Sequence, residues 1–195
     1  MDKTSPQIIH RDGMIADAQY VGWLKELKYI KRWFKFYTKD NAIRQQAVDE
    51  LEMPNDFAFV SLCSRTVSSS AVLRSYDWAM QLNVAQAVVV SGFQSKLEKD
   101  ILRLLNKRRA SIILILARKM YKEIPDEFQP FLANNRLLVI STSSAIRNAK
   151  EAANKRNGYI ANMVDDIVFG YINEGTSLQS VFTNNISKST ILCHD

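Results

Sequence analysis

The chain has 195 residues, 47% of them hydrophobic and 24% charged, which fits one globular domain of ordinary size with a real core and excludes wholesale disorder. Six Gly and four Pro exclude collagen-like and linker-dominated architectures, and no apolar run is long enough to cross a bilayer. The excess of 26 Lys+Arg over 20 Asp+Glu leaves a net charge of +6, which favours anionic partners such as nucleic acid or nucleotides.

In chain order, residues 1–15 are polar and aperiodic and read as a loose tail with no secretory-signal pattern, so a cytoplasmic location is expected. From Ala18 to Tyr37 the apolar residues Tyr20, Trp23, Leu24, Leu27, Ile30 and Phe34 recur at helical steps, with Lys25, Lys28, Lys31, Arg32 and Lys35 between them. A second helical stretch runs from Asn41 to Leu51 and stops near Pro54. Residues 16–54 are therefore expected to form a helical appendage, too short for its own core, that docks on the main domain or on a second copy in a homodimer. The interleaved aromatic and basic residues of its first helix would also suit stacked bases or an anionic membrane, but a docked amphipathic stripe is the simpler expectation.

After Pro54 the rhythm changes. Residues 57–63 (FAFVSLC) predict a strand, 71–82 a helix, 87–90 a strand ending at Ser91-Gly92, and 96–106 a helix with Leu97, Ile101, Leu104 and Leu105 on one side. Ile112–Leu116 predicts a strand, Pro125–Leu132 a short helix and Leu137–Ile140 a strand. Ser144–Met163 predicts a helix, 167–171 a strand, 178–182 a helical turn and 190–193 a last strand. Apolar strands joined by helices imply a mainly parallel sheet covered on both faces, a Rossmann-like α/β three-layer sandwich over residues 55–195.

Ligands of such sheets bind outside the carboxyl ends of the strands, where strand order reverses. The residues just after the strands are Ser64, Arg65 and Ser68; Ser91, Gly92, Gln94 and Ser95; Arg118 and Lys119; Ser141 to Ser144; and Gly175, Thr176 and Ser177. Any one of these hydroxyls is explained as a helix cap. As a set, with Arg65 and Arg118 beside it, they predict an anion site built on helix starts. The basic run 107–109 lies at the opposite, amino edge and reads as a solvated turn.

Six segments, in order, resemble the DNA-processing protein A (DprA, also called Smf) family over residues 57–195, about seventy per cent of the chain. FVSLCSRTVSS is similar to a first strand ending in Gly-Ser-Arg with a serine three residues on, which Ser64, Arg65 and Ser68 match. AVVVSGFQSKLEKDIL is similar to the second strand and its Ser-Gly turn, IILILARKMYKEIPDEF to the third strand with a tyrosine-proline loop, and RLLVIST to the fourth. KRNGYIANMVDDIVFG is similar to an Arg-Asn-Arg segment with its helix and fifth strand, and EGTSLQS to a Ser-Gly-Ser-Leu loop. Departures are Lys96 at the second glycine of the Ser-Gly turn, Gly158 at the second arginine, and Ala117-Arg118 where the family is glycine-rich.

The resemblance implies binding of single-stranded DNA without catalysis, and delivery of that strand to a recombinase in transformation or recombination. Arg65, Lys96, Arg118, Lys119 and Arg156 would neutralise phosphates, with Asn157 beside the matched arginine. The alternative is a sensor domain for a nucleotide or nucleotide-derived ligand. A third reading, a phosphoribohydrolase like those of the lysine-decarboxylase-like family, is disfavoured because Gln179 stands where their Gly-Gly-x-Gly-Thr-x-x-Glu loop carries its glutamate, and an amide is no general base. Cys63, Cys193, His10 and His194 offer no paired metal ligands, so neither a metal nor a cofactor is expected.

Overall fold

The computed structural model describes residues 8–11, 15–21, 56–61, 67–119, 121, 123–134, 136–141, 146 and 150–193, the first three of these spans as backbone alone. Eight strands form one sheet: β1 (Ile8–Arg11), β2 (Ile15–Val21), β3 (Asp56–Ser61), β4 (Ala87–Ser91), β5 (Ser111–Leu116), β6 (Leu137–Ser141), β7 (Asp166–Phe169) and β8 (Ser189–Ile191). Their order is β1-β2-β6-β5-β4-β3-β7-β8. All pairs from β6 to β8 are parallel, and β2 joins β6 antiparallel through Gln19–Ser141, Tyr20–Ile140 and Val21–Val139.

The central strands are buried almost throughout, and their side chains alternate between two cores. Val88, Val90, Ile113, Ile115, Leu138, Ile140, Ile167 and Phe169 face helices α4 (Lys150–Met163) and α5 (Ser177–Thr183). Val89, Ile112, Leu114, Leu116, Leu137 and Val139 face α1 (Ser69–Gln81), α2 (Lys96–Lys107) and the short α3 (Gln129–Leu132), which continues from a 3₁₀ turn over Asp126–Phe128. Both faces of the parallel sheet are therefore covered, and the molecule is a Rossmann-like three-layer sandwich.

Local chemistry sets the helix ends. Ser68 caps α1, its Oγ accepting from Ala71 N at 3.3 Å. At the end of α2, Ala110 N donates to Leu105 O at 2.9 Å around Arg109, whose φ of +59° is a left-handed closure usually given to glycine. The steps β3-β4-β5-β6 run one way across the sheet, and α4 then carries the chain back so that β7 lies on the far side of β3. Strand order reverses there, which places the crevice between the two helix layers at the carboxyl ends of these strands.

The amino-terminal reading is corrected in part. Ile8–Arg11, read as tail, and Ile15–Val21, read as tail end and helix start, are the strands β1 and β2. The outer edge of β6 presents unpaired N–H and C=O groups, and pairing with them outweighs a weak local helical pattern. The remainder of the expected appendage, residues 22–55, lies outside the described residues. No helix among the described residues is long and apolar enough to cross a membrane.

Candidate functional site

The turn that follows β4 is closed by its own groups. Phe93 N donates to Ser91 Oγ at 3.3 Å, and Gln94 N and Ser95 N both donate to Glu98 Oε2, at 2.7 and 2.8 Å. Glu98 N returns a bond to Ser95 Oγ at 3.1 Å, completing a capping box at the start of α2. The Gln94 amide donates to Gly92 O at 2.8 Å. Phe93 adopts φ +46°, a left-handed conformation that costs a bulky residue about 1–3 kcal/mol. Burial of its ring, tilted against Phe128 at 6.3 Å between centroids, offsets that cost.

Against this turn lies a side chain from the opposite layer. A Cβ on Gly92 would stand 2.2 Å from Arg156 Nη1 and 2.5 Å from its Cζ, so the missing side chain of Gly92 is the seat of the guanidinium. Arg156 Nε and Nη2 donate to Asn157 Oδ1 at 3.2 and 3.0 Å, while Nη1 makes no hydrogen bond among the described residues. Arg156 and Glu98 are each only 8% exposed. Burial pulls the Arg156 guanidinium below its ordinary range, and the nearby Glu98 carboxylate opposes that shift.

Beside this pair opens a cavity of about 900 Å3 between the helix layers. One wall comes from α1 and α2: Val67, Val72, Tyr76, Ser95, Lys96, Leu97 and Asp100. The other comes from α4 and α5: Lys150, Ala153, Asn154, Arg156 and Asn157, with Thr176, Ser177 and Leu178. Burial first, then the neighbouring Asp100 carboxylate, raises the Tyr76 phenol above its usual value. Among the described residues no cluster of three or more His, Cys, Asp or Glu could hold a metal ion.

Of the residues singled out from the sequence, Ser95, Lys96, Arg156, Asn157, Thr176 and Ser177 line this cavity. Ser91 and Gln94 bond within the closed turn, Gly92 lies beneath Arg156, and Ser68 caps α1. Arg118 is not a lining residue. Its guanidinium stacks over Tyr121 at 5.2 Å, its backbone carbonyl accepts from Ser141 Oγ at 2.7 Å, and its Nε is buried without a hydrogen bond among the described residues. Gly175, at φ +70°, donates its N–H to Gln179 Oε1 at 2.8 Å, so the amide at the suspected glutamate position ties the loop together. Ser64 and Arg65 lie outside the described residues.

Sequence reasoning did not single out Lys150, Asn154, Tyr76 or Asp100. For the first two a signal was present: Lys150, Asn154 and Asn157 stand four and three residues apart, one polar face of α4. The basic run at the amino edge is also corrected, because Arg108 is no solvated side chain. Its Nη1 donates to Ala79 O and Leu82 O at 2.6 and 2.7 Å, closing the end of α1.

No protein-family model matches the chain, and no curated protein sequence matches it. Solved structures do. The DNA processing protein A of Streptococcus pneumoniae superposes with a TM-score of 0.59 at 14% identity, over 89% of this chain and 52% of that one. The chain has a DprA-like fold. The Helicobacter pylori DprA, described for a unique single-stranded DNA binding mode, superposes with a TM-score of 0.54 at 13% identity, over 86% of this chain and 66% of its own. The present chain thus spans about half the length of the first of these DprA proteins and about two thirds of the second.

Proposed function

We propose that this DprA-like chain binds single-stranded DNA at the carboxyl rim of its sheet and carries out no reaction on it. The observation that carries the reading is the cavity itself, which gathers Lys96, Lys150 and Arg156 from two helix layers beside an apolar wall of Val67, Val72, Tyr76 and Leu97. Cations along a groove supply sequence-tolerant, salt-dependent attraction for phosphates, and an aromatic ring with apolar neighbours accepts a base. The fold shared with the H. pylori protein, whose single-stranded DNA binding is described, supports the same reading. By the family resemblance the bound strand would pass to a recombinase.

A second reading is favoured by one feature. A cavity of about 900 Å3 with apolar walls and a few convergent polar groups also has the size and character of a small-ligand site, which suits a mononucleotide. Fluorescence anisotropy with a labelled thymidine oligonucleotide of about twenty residues separates the two. DNA binding predicts saturable binding whose affinity falls steeply between about 50 and 200 mM salt, and a shallower salt slope when Lys96 and Lys150 are both replaced by Ala. Binding of thymidine monophosphate with no oligonucleotide binding would replace this reading by the nucleotide one. Release of free base from a nucleoside monophosphate would overturn the assignment of a non-catalytic role.

A further inference from the structure

The geometry points to Glu98 as the residue that decides which wall of the cavity receives a phosphoryl group: its carboxylate already occupies the anion position at the start of α2, so the phosphate of a bound nucleotide is directed to Lys150, Asn157 and Arg156 on the α4 wall. The inference rests on the binding reading above and specifies the polarity of the ligand within that site.

Three observations carry it. First, a strand-turn-helix unit ordinarily offers its turn amides to an anion. Here Phe93, Gln94, Ser95 and Glu98 each direct the N–H inward, two of them to the Glu98 carboxylate. The glutamate thus makes the contacts that a phosphate would make, and its negative charge opposes a second anion at the same place. Second, the α4 wall is open. Arg156, 8% exposed, lines the cavity with Nη1 free of hydrogen bonds among the described residues, and the Asn157 amide nitrogen next to it has none either. Third, Lys150 is exposed, makes no ion pair among the described residues, and lines the same cavity as Arg156. The wall formed by Tyr76, Val72 and Leu97 is left for the apolar base.

The test compares thymidine with thymidine 5′-monophosphate by titration calorimetry, the ratio of the two affinities isolating the phosphate contribution. Glu98→Gln keeps an oxygen that accepts the capping N–H groups but removes the charge, and thermal melting checks that the cap survives. Glu98→Gln is expected to raise the ratio about tenfold, and exposed Lys150→Gln to lower it by a similar factor. Lys96→Gln, at the start of α2, is expected to change it less than about twofold. A ratio that collapses with Lys96→Gln and stands with Lys150→Gln, or that ignores Glu98→Gln in a folded protein, overturns the inference while leaving binding intact. The lysine pair decides the matter if Glu98→Gln does not fold, and the salt slope of oligonucleotide binding reads the same pair if the mononucleotide is too weak. Absence of binding to both oligonucleotide and mononucleotide would overturn the function itself, and the inference with it.

Discussion

The two edges of the sheet use the same residue types in opposite ways. At the amino edge, Arg108 donates to Ala79 O and Leu82 O, Arg136 to Ala110 O and Asn106 Oδ1, and Lys188 Nζ to Ala161 O and Val164 O. Each cation there closes the carbonyl end of a helix or turn, where the dipole favours positive charge. At the carboxyl edge, Lys96 and Lys150 line a cavity, and neither makes an ion pair among the described residues. A net charge of +6 therefore overstates the charge available to a ligand, because part of it is built into the frame. Arg156 stands between the two cases, anchored through Asn157 and Gly92 yet lining the cavity.

The sharpest way to break this comparison is to remove Arg156. Arg156→Ala would leave a void over Gly92 and remove the buried positive charge nearest the Glu98 carboxylate. We expect a loss of about 2–4 kcal/mol in chemical denaturation. A loss below about 1 kcal/mol would make Arg156 a surface cation like Lys150. Next in size is Arg108→Ala, which strands two carbonyls at the end of α1 and should cost about 1–3 kcal/mol while leaving the salt slope of oligonucleotide binding unchanged. Lys150→Ala should do the reverse. Its stability effect is expected within about 0.5 kcal/mol, and its salt slope shallower by about one unit. If both substitutions moved both quantities, the division between frame and rim would fail.

The fold was legible from Phe57 onward because strands buried on both faces are uninterrupted apolar runs, as in SIILIL and LLVIS, and need no partner to be recognised. The strands β1 and β2 were not legible. In Ile15–Val21 polar and apolar residues alternate weakly, and what makes that segment a strand is the open edge of β6, about 120 residues away in sequence. Part of the cavity was legible for a similar local reason, since Ser95, Lys96, Thr176 and Ser177 follow strands and fall on the rim. What no pattern could give is the pairing of Gly92 with Arg156, which depends on α4 returning across the sheet. The turn after β4 was expected to offer its amides outward, and only the position of the Glu98 side chain shows that they turn inward.

Alkaline titration sharpens the same division from the α1 side. The folded-state pKa of Tyr76 is raised, first by burial and then by Asp100, so the neutral phenol is the form the fold prefers. The sign follows: the stabilisation is complete below the unfolded value of about 10, and is lost as pH rises through the higher folded value. Tyr76→Phe should flatten the decline of melting temperature above that pH, and Asp100→Asn should bring the phenol's ultraviolet titration downward. An unchanged titration in Asp100→Asn would leave burial alone as the cause of the raised value.

The smallest effect belongs to the amino edge. Arg109 holds φ +59° after α2, a conformation that costs a residue with a Cβ about 1–2 kcal/mol, and its side chain is exposed. Arg109→Gly removes that strain but adds freedom to the unfolded chain, so the net gain is expected to be only about 0.5–1 kcal/mol, read as a higher denaturation midpoint at unchanged slope. Because the residue sits at the framed edge, binding to DNA should not move. A loss of affinity would mean that the amino edge also meets the ligand, and the separation of roles between the two edges would have to be redrawn.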